Sequence, residues 1–205
     1  MAESFAKMGA HSICIKDMAG IASPYLMKKW VLAIKKAVPE LPVHIHSHYT
    51  TGFAPISYIQ AIEAGASAVD CAISTLSGRS GHPSMEVFNQ TLHDLGYDLG
   101  WDFEAALEAM KPIADLYREY HDRYEFCEMK MAGAVDYRVF TQGIPGGQIS
   151  IMRNELVRNG YGHLFANVID QIQRVRTQVG GVALVTPTSE HVARQSIVNA
   201  MNGQV

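Results

Sequence analysis

Three histidines at alternate positions, His44, His46 and His48, lie in the short apolar run Val43-His44-Ile45-His46-Ser47-His48-Tyr49, bounded by Pro42 and Gly52. Side chains alternate along a strand, so these imidazoles leave the backbone on one face. Two imidazoles converging where a strand ends form half of a divalent-metal site; the same spacing also fits histidines hydrogen-bonded within a polar core. Upstream, Ser12-Ile13-Cys14-Ile15-Lys16-Asp17-Met18-Ala19-Gly20 is a second apolar run that ends abruptly in charge and glycine. A lysine and an aspartate at the tip of a buried strand need partners, because burying a charge unpaired is costly.

The elements that must position these groups follow from periodicity and punctuation. Ala2 to Met8 reads as the end of a helix stopped at Gly9, and His11 to Ile15 as a strand. Pro24 opens a helix with Leu26, Trp30, Ile34 and Val38 along one stripe and Lys28, Lys29, Lys35 and Lys36 on a solvated face. After the His-rich strand come a helix from Pro55 to Ala64, a strand from Ala68 to Ile73, a Gly/Ser-rich loop from Ser74 to Ser84 and a helix from Met85 to Leu95. Strand and helix alternate here in units of roughly 25 to 30 residues, the pattern of a parallel α/β sheet. In such folds chemistry sits at the C-terminal strand ends, where Lys16, Asp17, His46, His48 and the Ser74–Ser84 loop all fall. Three βα units cannot close a barrel, so an N-terminal part is expected to be missing. Beyond Gly100 the pattern turns helical: Asp102 to Tyr124 with a bend at Pro112, then Ile151 to Asn159, Leu164 to Val179 and Glu190 to Met201, with Glu125 to Phe140 unassigned.

Composition narrows the function classes. The chain has 205 residues, is 48% hydrophobic and carries a formal charge of -3, enough for one sizeable core and without the basic footprint of a nucleic-acid binder. No apolar run is long enough to span a bilayer. Cys14, Cys71 and Cys127 are odd in number and lack CxxC spacing, which points to a reducing, cytoplasmic setting. Cys71 reads as a small apolar filler.

The ordered segments Lys16-Asp17-Met18-Ala19-Gly20, His46-Ser47-His48-Tyr49-Thr50-Thr51-Gly52, Ala64-Gly65-Ala66 with Val69-Asp70, Ile144-Pro145-Gly146-Gly147-Gln148 and Val185-Thr186-Pro187-Thr188-Ser189 resemble the carboxyltransferase domain of biotin-dependent enzymes such as pyruvate carboxylase, the oxaloacetate decarboxylase alpha subunit and the pyruvate-side subunit of transcarboxylase. The resemblance runs nearly the whole length. It implies an α/β fold, the C-terminal part of a (β/α)8 TIM barrel over residues 1–100, followed by a helical funnel, the carboxyltransferase extension, over 101–205 and truncated at its C-terminus. It further implies a divalent metal (zinc, manganese or cobalt) held by Lys16, as its carbamate, with His46 and His48. A remaining aspartate ligand is expected upstream of Met1. The implied reaction is carboxyl transfer, in either direction, between carboxybiotin and a 2-oxo acid such as pyruvate or oxaloacetate. Biotin arrives on a separate carrier domain or subunit, and the assembly is expected to be a homodimer.

Lys16 and Ser150 are the implied catalytic residues, with Ser150, Gly146 and Gly147 contacting the cofactor. Ser150 occupies the place of the hydroxyl that moves a proton between substrate and biotin; as a plain sequence feature it equally fits an N-cap to the helix at Ile151. Ile151 stands where family members usually carry asparagine, and Tyr49 where many carry aspartate.

Other candidates weigh less. His82 and Arg79, on the loop after the third strand, are candidates to contact biotin or substrate, against the plainer reading of a Gly/Ser-rich turn that needs no function. His11, His44, His93, His121, His163 and His191 read as structural or exposed. Glu128-Met129-Lys130-Met131 resembles a biotinylation hairpin but lacks the strands that module needs, so Lys130 reads as a surface residue. The alternatives are an aldolase-like metal-dependent barrel of the acyl-CoA lyase or isopropylmalate synthase class, which shares the HxH motif but has no lysine in the place of Lys16, and an inactive partner-binding fragment.

Overall fold

The computed structural model describes residues 1–78, 80–100, 102–123 and 139–203. Contacts divide the chain into two compact units, Met1–Val135 and Asp136–Val205.

The first unit opens with α1 (Ala2–Lys7) and is built on a parallel sheet in the order β1 (Ile13–Asp17), β2 (Val43–Ser47), β3 (Ala68–Val69). β1 and β2 pair in strict register: Ile13 with Val43, Cys14 with His44, Ile15 with Ile45, Lys16 with His46 and Asp17 with Ser47. Register partners on parallel strands share a face, so the alternation sorts the residues cleanly. Val43, Ile45 and Ser47 are buried, while Cys14, Lys16, His44 and His46 occupy the opposite, more open face.

The helices α2 (Pro24–Ala37), α3 (Ala54–Glu63) and α4 (Met85–Asp94) cover the apolar face. Ser23 caps α2, its Oγ accepting from the Leu26 N–H at 3.3 Å, and Pro24 sits in the first turn where its missing N–H costs nothing. The buried stripe of α2 is Met27 and Val31, one position on from the expected Leu26 and Trp30; Trp30 is 40% exposed. The capped, Pro-first turn sets the helix phase, and the larger ring is left at the rim. Met27, Val31, Val43, Ile45, Tyr58, Ala61, Phe88 and Leu92 form one core cluster, each large side chain contributing about 1.5–3 kcal/mol by burial. The lysines of α2 are also more engaged than a solvated face implies: Lys28 reaches Gln60 (3.1 Å) and Glu63 (3.4 Å), and Lys35 donates to the carbonyls of Pro39 (2.7 Å) and Leu41 (3.1 Å).

β3 is shorter than the Ala68–Ile73 expected. After Val69 the chain keeps one bond to β2, Asp70 N–H to the Ile45 carbonyl at 3.0 Å, then turns so that Ala72 bridges Ser84 at the far end of its own loop. A long helix, α5 (Phe103–Arg123), runs on through Pro112.

In the second unit α6 (Val139–Gln142) leads to α7 (Gly146–Arg158), α8 (Phe165–Gln178) and α9 (Thr188–Met201). Ile144, Met152, Leu156, Val168, Ile172 and Val192 are among the side chains of its own core. α7 begins at Gly146, well before the expected Ile151. Pro145 fixes the entry φ at -58°, and two glycines then continue as helix rather than turn. Arg79, Lys130 and Cys127 lie outside the described residues.

Candidate metal and carboxyl-transfer site

Ser47, between His46 and His48, is the fixed point of the strand-end cluster. Its Oγ donates to Asp17 Oδ2 (2.9 Å), and its N–H donates to the Tyr58 hydroxyl (3.0 Å), which lies 3.0 and 2.8 Å from the carbonyls of Ser47 and Asp70. Burial pushes the Tyr58 phenol well above its ordinary pKa, so it stays a neutral donor. Asp17 also accepts from the N–H groups of Ile21 (3.1 Å) and Ala22 (2.9 Å), closing the Lys16–Ala22 loop around its carboxylate. The charge at the strand tip thus finds its partners in backbone. Gly20 completes this turn with φ +66°; a Cβ there would stand 2.1 Å from the His48 carbonyl oxygen, so only glycine lets the loop lie against the HxH segment.

Lys16 and His46 are register partners on one face of the sheet, and His48 follows two residues on. The three ligands implied by the resemblance are therefore gathered at neighbouring strand ends. Ser150, Gly146 and Gly147 lie instead in the first turns of α7 in the second unit. Ser150 Oγ donates back to the Gly146 carbonyl at 3.2 Å, so it sits inside the helix and does not cap it.

Two further groups belong to the cluster. Asp70 bridges two histidines, one carboxylate oxygen to His44 Nε2 (2.6 Å) and the other to His46 Nδ1 (2.7 Å). Burial acts to raise this carboxyl, but the hydrogen bonds from His46 and His44 outweigh it and hold Asp70 below the ordinary carboxylate range. His82 is swung over the same face: the loop backbone is pinned by Tyr49 N–H to the Gly81 carbonyl (2.8 Å), and His82 Nδ1 donates to the Ser47 carbonyl (3.0 Å). Ring centroids are 5.2 Å apart for His46–His48, 4.6 Å for His46–His82 and 4.7 Å for His48–His82.

His48 Nδ1 bonds the Ser80 carbonyl. Burial, joined by the neighbouring rings of His82 and His46 and opposed by that carbonyl, lowers the His48 pKa and favours the neutral ring that a metal binds. Carboxylates that orient a ligating imidazole through its other nitrogen are a usual support of metal sites, so the donor set fits a divalent ion. Among the residues described, Cys14 and Cys71 are free thiols, and burial pushes Cys71 up to about 11, which suits a filler and not a nucleophile.

From sequence, His44 carries a structural or exposed role, and Asp70 enters only within a motif. Their pairing is hidden there because β3 ends before Asp70 and the residue seats itself by one backbone bond. His82 reads from sequence either as a substrate or biotin contact or as an ordinary residue of a Gly/Ser turn; its packing on His46 and His48 depends on how the glycine loop closes, which residue spacing does not encode.

Residues 1–113 match the HMGL-like family, and residues 139–205 match the conserved carboxylase domain. The chain is 37% identical over 201 residues to a pyruvate carboxylase subunit of Methanocaldococcus jannaschii, covering 98% of this chain and 35% of that protein. It is 34% identical over 198 residues to the methylmalonyl-CoA carboxyltransferase 5S subunit of Propionibacterium freudenreichii subsp. shermanii, covering 96% and 38%. The solved carboxyl transfer domain of Rhizobium etli pyruvate carboxylase with pyruvate superposes with a TM-score of 0.84 at 28% identity, over 98% of this chain and 33% of that one. The chain thus spans about a third of the length of these relatives. That domain is a TIM barrel, so the three βα units are part of such a barrel. With its barrel units, strand-end cluster and trailing helices, the chain belongs to the HMGL-like family, joined here to the conserved carboxylase domain as in the carboxyltransferase domains of pyruvate carboxylases.

Proposed function

We propose that the chain supplies the metal-binding strand ends and the following helical region of a biotin-dependent carboxyltransferase, which moves a carboxyl group between carboxybiotin and a 2-oxo acid such as pyruvate or oxaloacetate. The observation that carries the reading is Lys16 beside His46 in register at the sheet's C-terminal end, with His48 just beyond. The nearby relatives and the solved domain with pyruvate support it.

Lys16 would act as its carbamate. A free ammonium repels a cation, whereas the ammonium's loss of one proton, followed by the neutral amine's addition to carbon dioxide with loss of a second, yields an anionic oxygen donor. Together with His46 and His48 it would hold a divalent ion (zinc, manganese or cobalt). When bound, that ion supplies positive charge that polarises a keto oxygen. Asp70 fixes the His46 tautomer, and Asp17 with Gly20 holds the Lys16 loop against the HxH segment. In the carboxylating direction the N–carboxyl bond of carboxybiotin breaks, a carbon–carbon bond forms at the pyruvate methyl carbon, and the proton lost there ends on the biotin nitrogen. Ser150, with Gly146 and Gly147 admitting close approach, is the hydroxyl proposed to pass that proton. Biotin would be presented by a carrier domain as the partner. The carboxylase domain at 139–205 and the lysine at position 16 favour this reading over lyase or synthase chemistry.

The test is oxaloacetate decarboxylation by the full-length protein in the presence of free biotin. Lys16→Ala is expected to abolish it; unchanged activity excludes the role given to Lys16.

A further inference from the structure

We infer that His82 is a third imidazole donor to this centre, one that biases it toward cobalt or zinc over manganese or magnesium. The inference rests on the metal-site reading above and adds a ligand that the lysine and HxH motifs do not call for.

Three independent features converge on it. Each ring has its Nδ1 committed to an acceptor that has no proton to give: His46 to the Asp70 carboxylate (2.7 Å), His48 to the Ser80 carbonyl, His82 to the Ser47 carbonyl (3.0 Å). In the neutral ring this geometry places the proton on Nδ1 in all three and leaves Nε2 its lone pair, the form in which histidine ligates metals. The rings are also mutual neighbours, and one ring nitrogen from each lies within 4.8 Å of the others. Two nitrogens on a tetrahedral zinc ion with bonds of about 2.0–2.1 Å stand roughly 3.3 Å apart. Closing the set thus needs a shift of no more than about 1.5 Å, within reach of side-chain rotation. Finally, the loop that carries His82 is held by named bonds, Tyr49 N–H to Gly81 (2.8 Å) and Gly78 N–H to His82 (2.7 Å), which set the ring in place over the strand end. Imidazole nitrogens suit zinc and its neighbours, whereas oxygen donors suit magnesium and manganese, so a third ring moves the preference toward the former.

The competing role for His82 is a stitch, its Nδ1–H joining the loop to Ser47. Asparagine separates the two, because its amide nitrogen takes the place of Nδ1 and it has nothing in the place of Nε2. Cobalt(II) and manganese(II) titrations of the full-length protein, read by calorimetry and by the visible absorption of bound cobalt, are made on the parent, His82→Asn, His82→Ala and His46→Ala. Both His82 variants are expected to lose cobalt affinity by roughly tenfold or more and to change the cobalt spectrum, with manganese affinity less affected. If His82→Asn keeps the parent's cobalt affinity and spectrum, the ligand role is overturned. Should His46→Ala then still weaken cobalt binding, the metal-site reading stands without His82; should it not, both readings fall together.

Discussion

Asp17 closes β1 and Asp70 directly follows β3, the two strands that flank β2, and the two carboxylates serve opposite purposes. Asp17 is 8% exposed and spends its carboxylate on two backbone N–H groups and the Ser47 hydroxyl. Asp70 keeps a side chain 36% exposed and spends its own on two imidazoles. A buried carboxylate ringed by backbone donors holds the chain in shape; a more open one facing side-chain donors sets their orientation and leaves shape alone. The residue type is the same, and the donors around it decide the role.

This contrast is sharpened first by Asp17→Ala. Removing an acceptor of three hydrogen bonds, two of them to backbone N–H groups, is expected to lower unfolding free energy by about 3 kcal/mol, read from chemical denaturation. A loss below about 1 kcal/mol would break the distinction. Asp70→Asn should do the reverse: little change in the denaturation midpoint, but a divalent-metal affinity weakened by roughly 10- to 100-fold, because the ring of His46 loses its carboxylate anchor. Titration of both variants side by side checks this. The smallest effect is expected at Glu86, on the first turn of α4, which accepts from Ser74 N–H (2.9 Å), Ser74 Oγ (2.8 Å) and Ser84 Oγ (3.1 Å) and so anchors the loop that carries His82. Burial acts to raise its pKa, yet those hydrogen bonds leave it lowered. A depressed carboxyl contributes stability above its unfolded pKa and loses it as the pH falls through the folded value. Glu86→Gln should therefore be less stable than the parent at neutral pH, by under about 1 kcal/mol given its exposure. The two should converge in acid, as thermal melts across pH would show.

The repeating strand and helix of the first unit were legible because hydrophobic period and Gly/Pro punctuation agree there: Gly9 and Gly65 end helices with φ of +86° and +101°, and Pro24 and Pro55 open them. Lys16, His46 and His48 were legible as a group because parallel register places strand ends side by side. The start of α7 was not, since Pro145-Gly146-Gly147 carries the composition of a turn and only its surroundings make it helix. Nor was the alliance of His82 with the HxH pair or of Asp70 with His44 and His46. Those contacts are made by loop closure and by one hydrogen bond past the end of β3, features with no periodic trace.

The most direct test of the account is the metal content of the full-length protein by elemental analysis, parent against a His46→Ala, His48→Ala double variant that remains folded by circular dichroism. About one divalent ion per chain is expected in the parent, and its loss in the variant. Equal metal in both, or none in a parent that still transfers carboxyl groups, would contradict it.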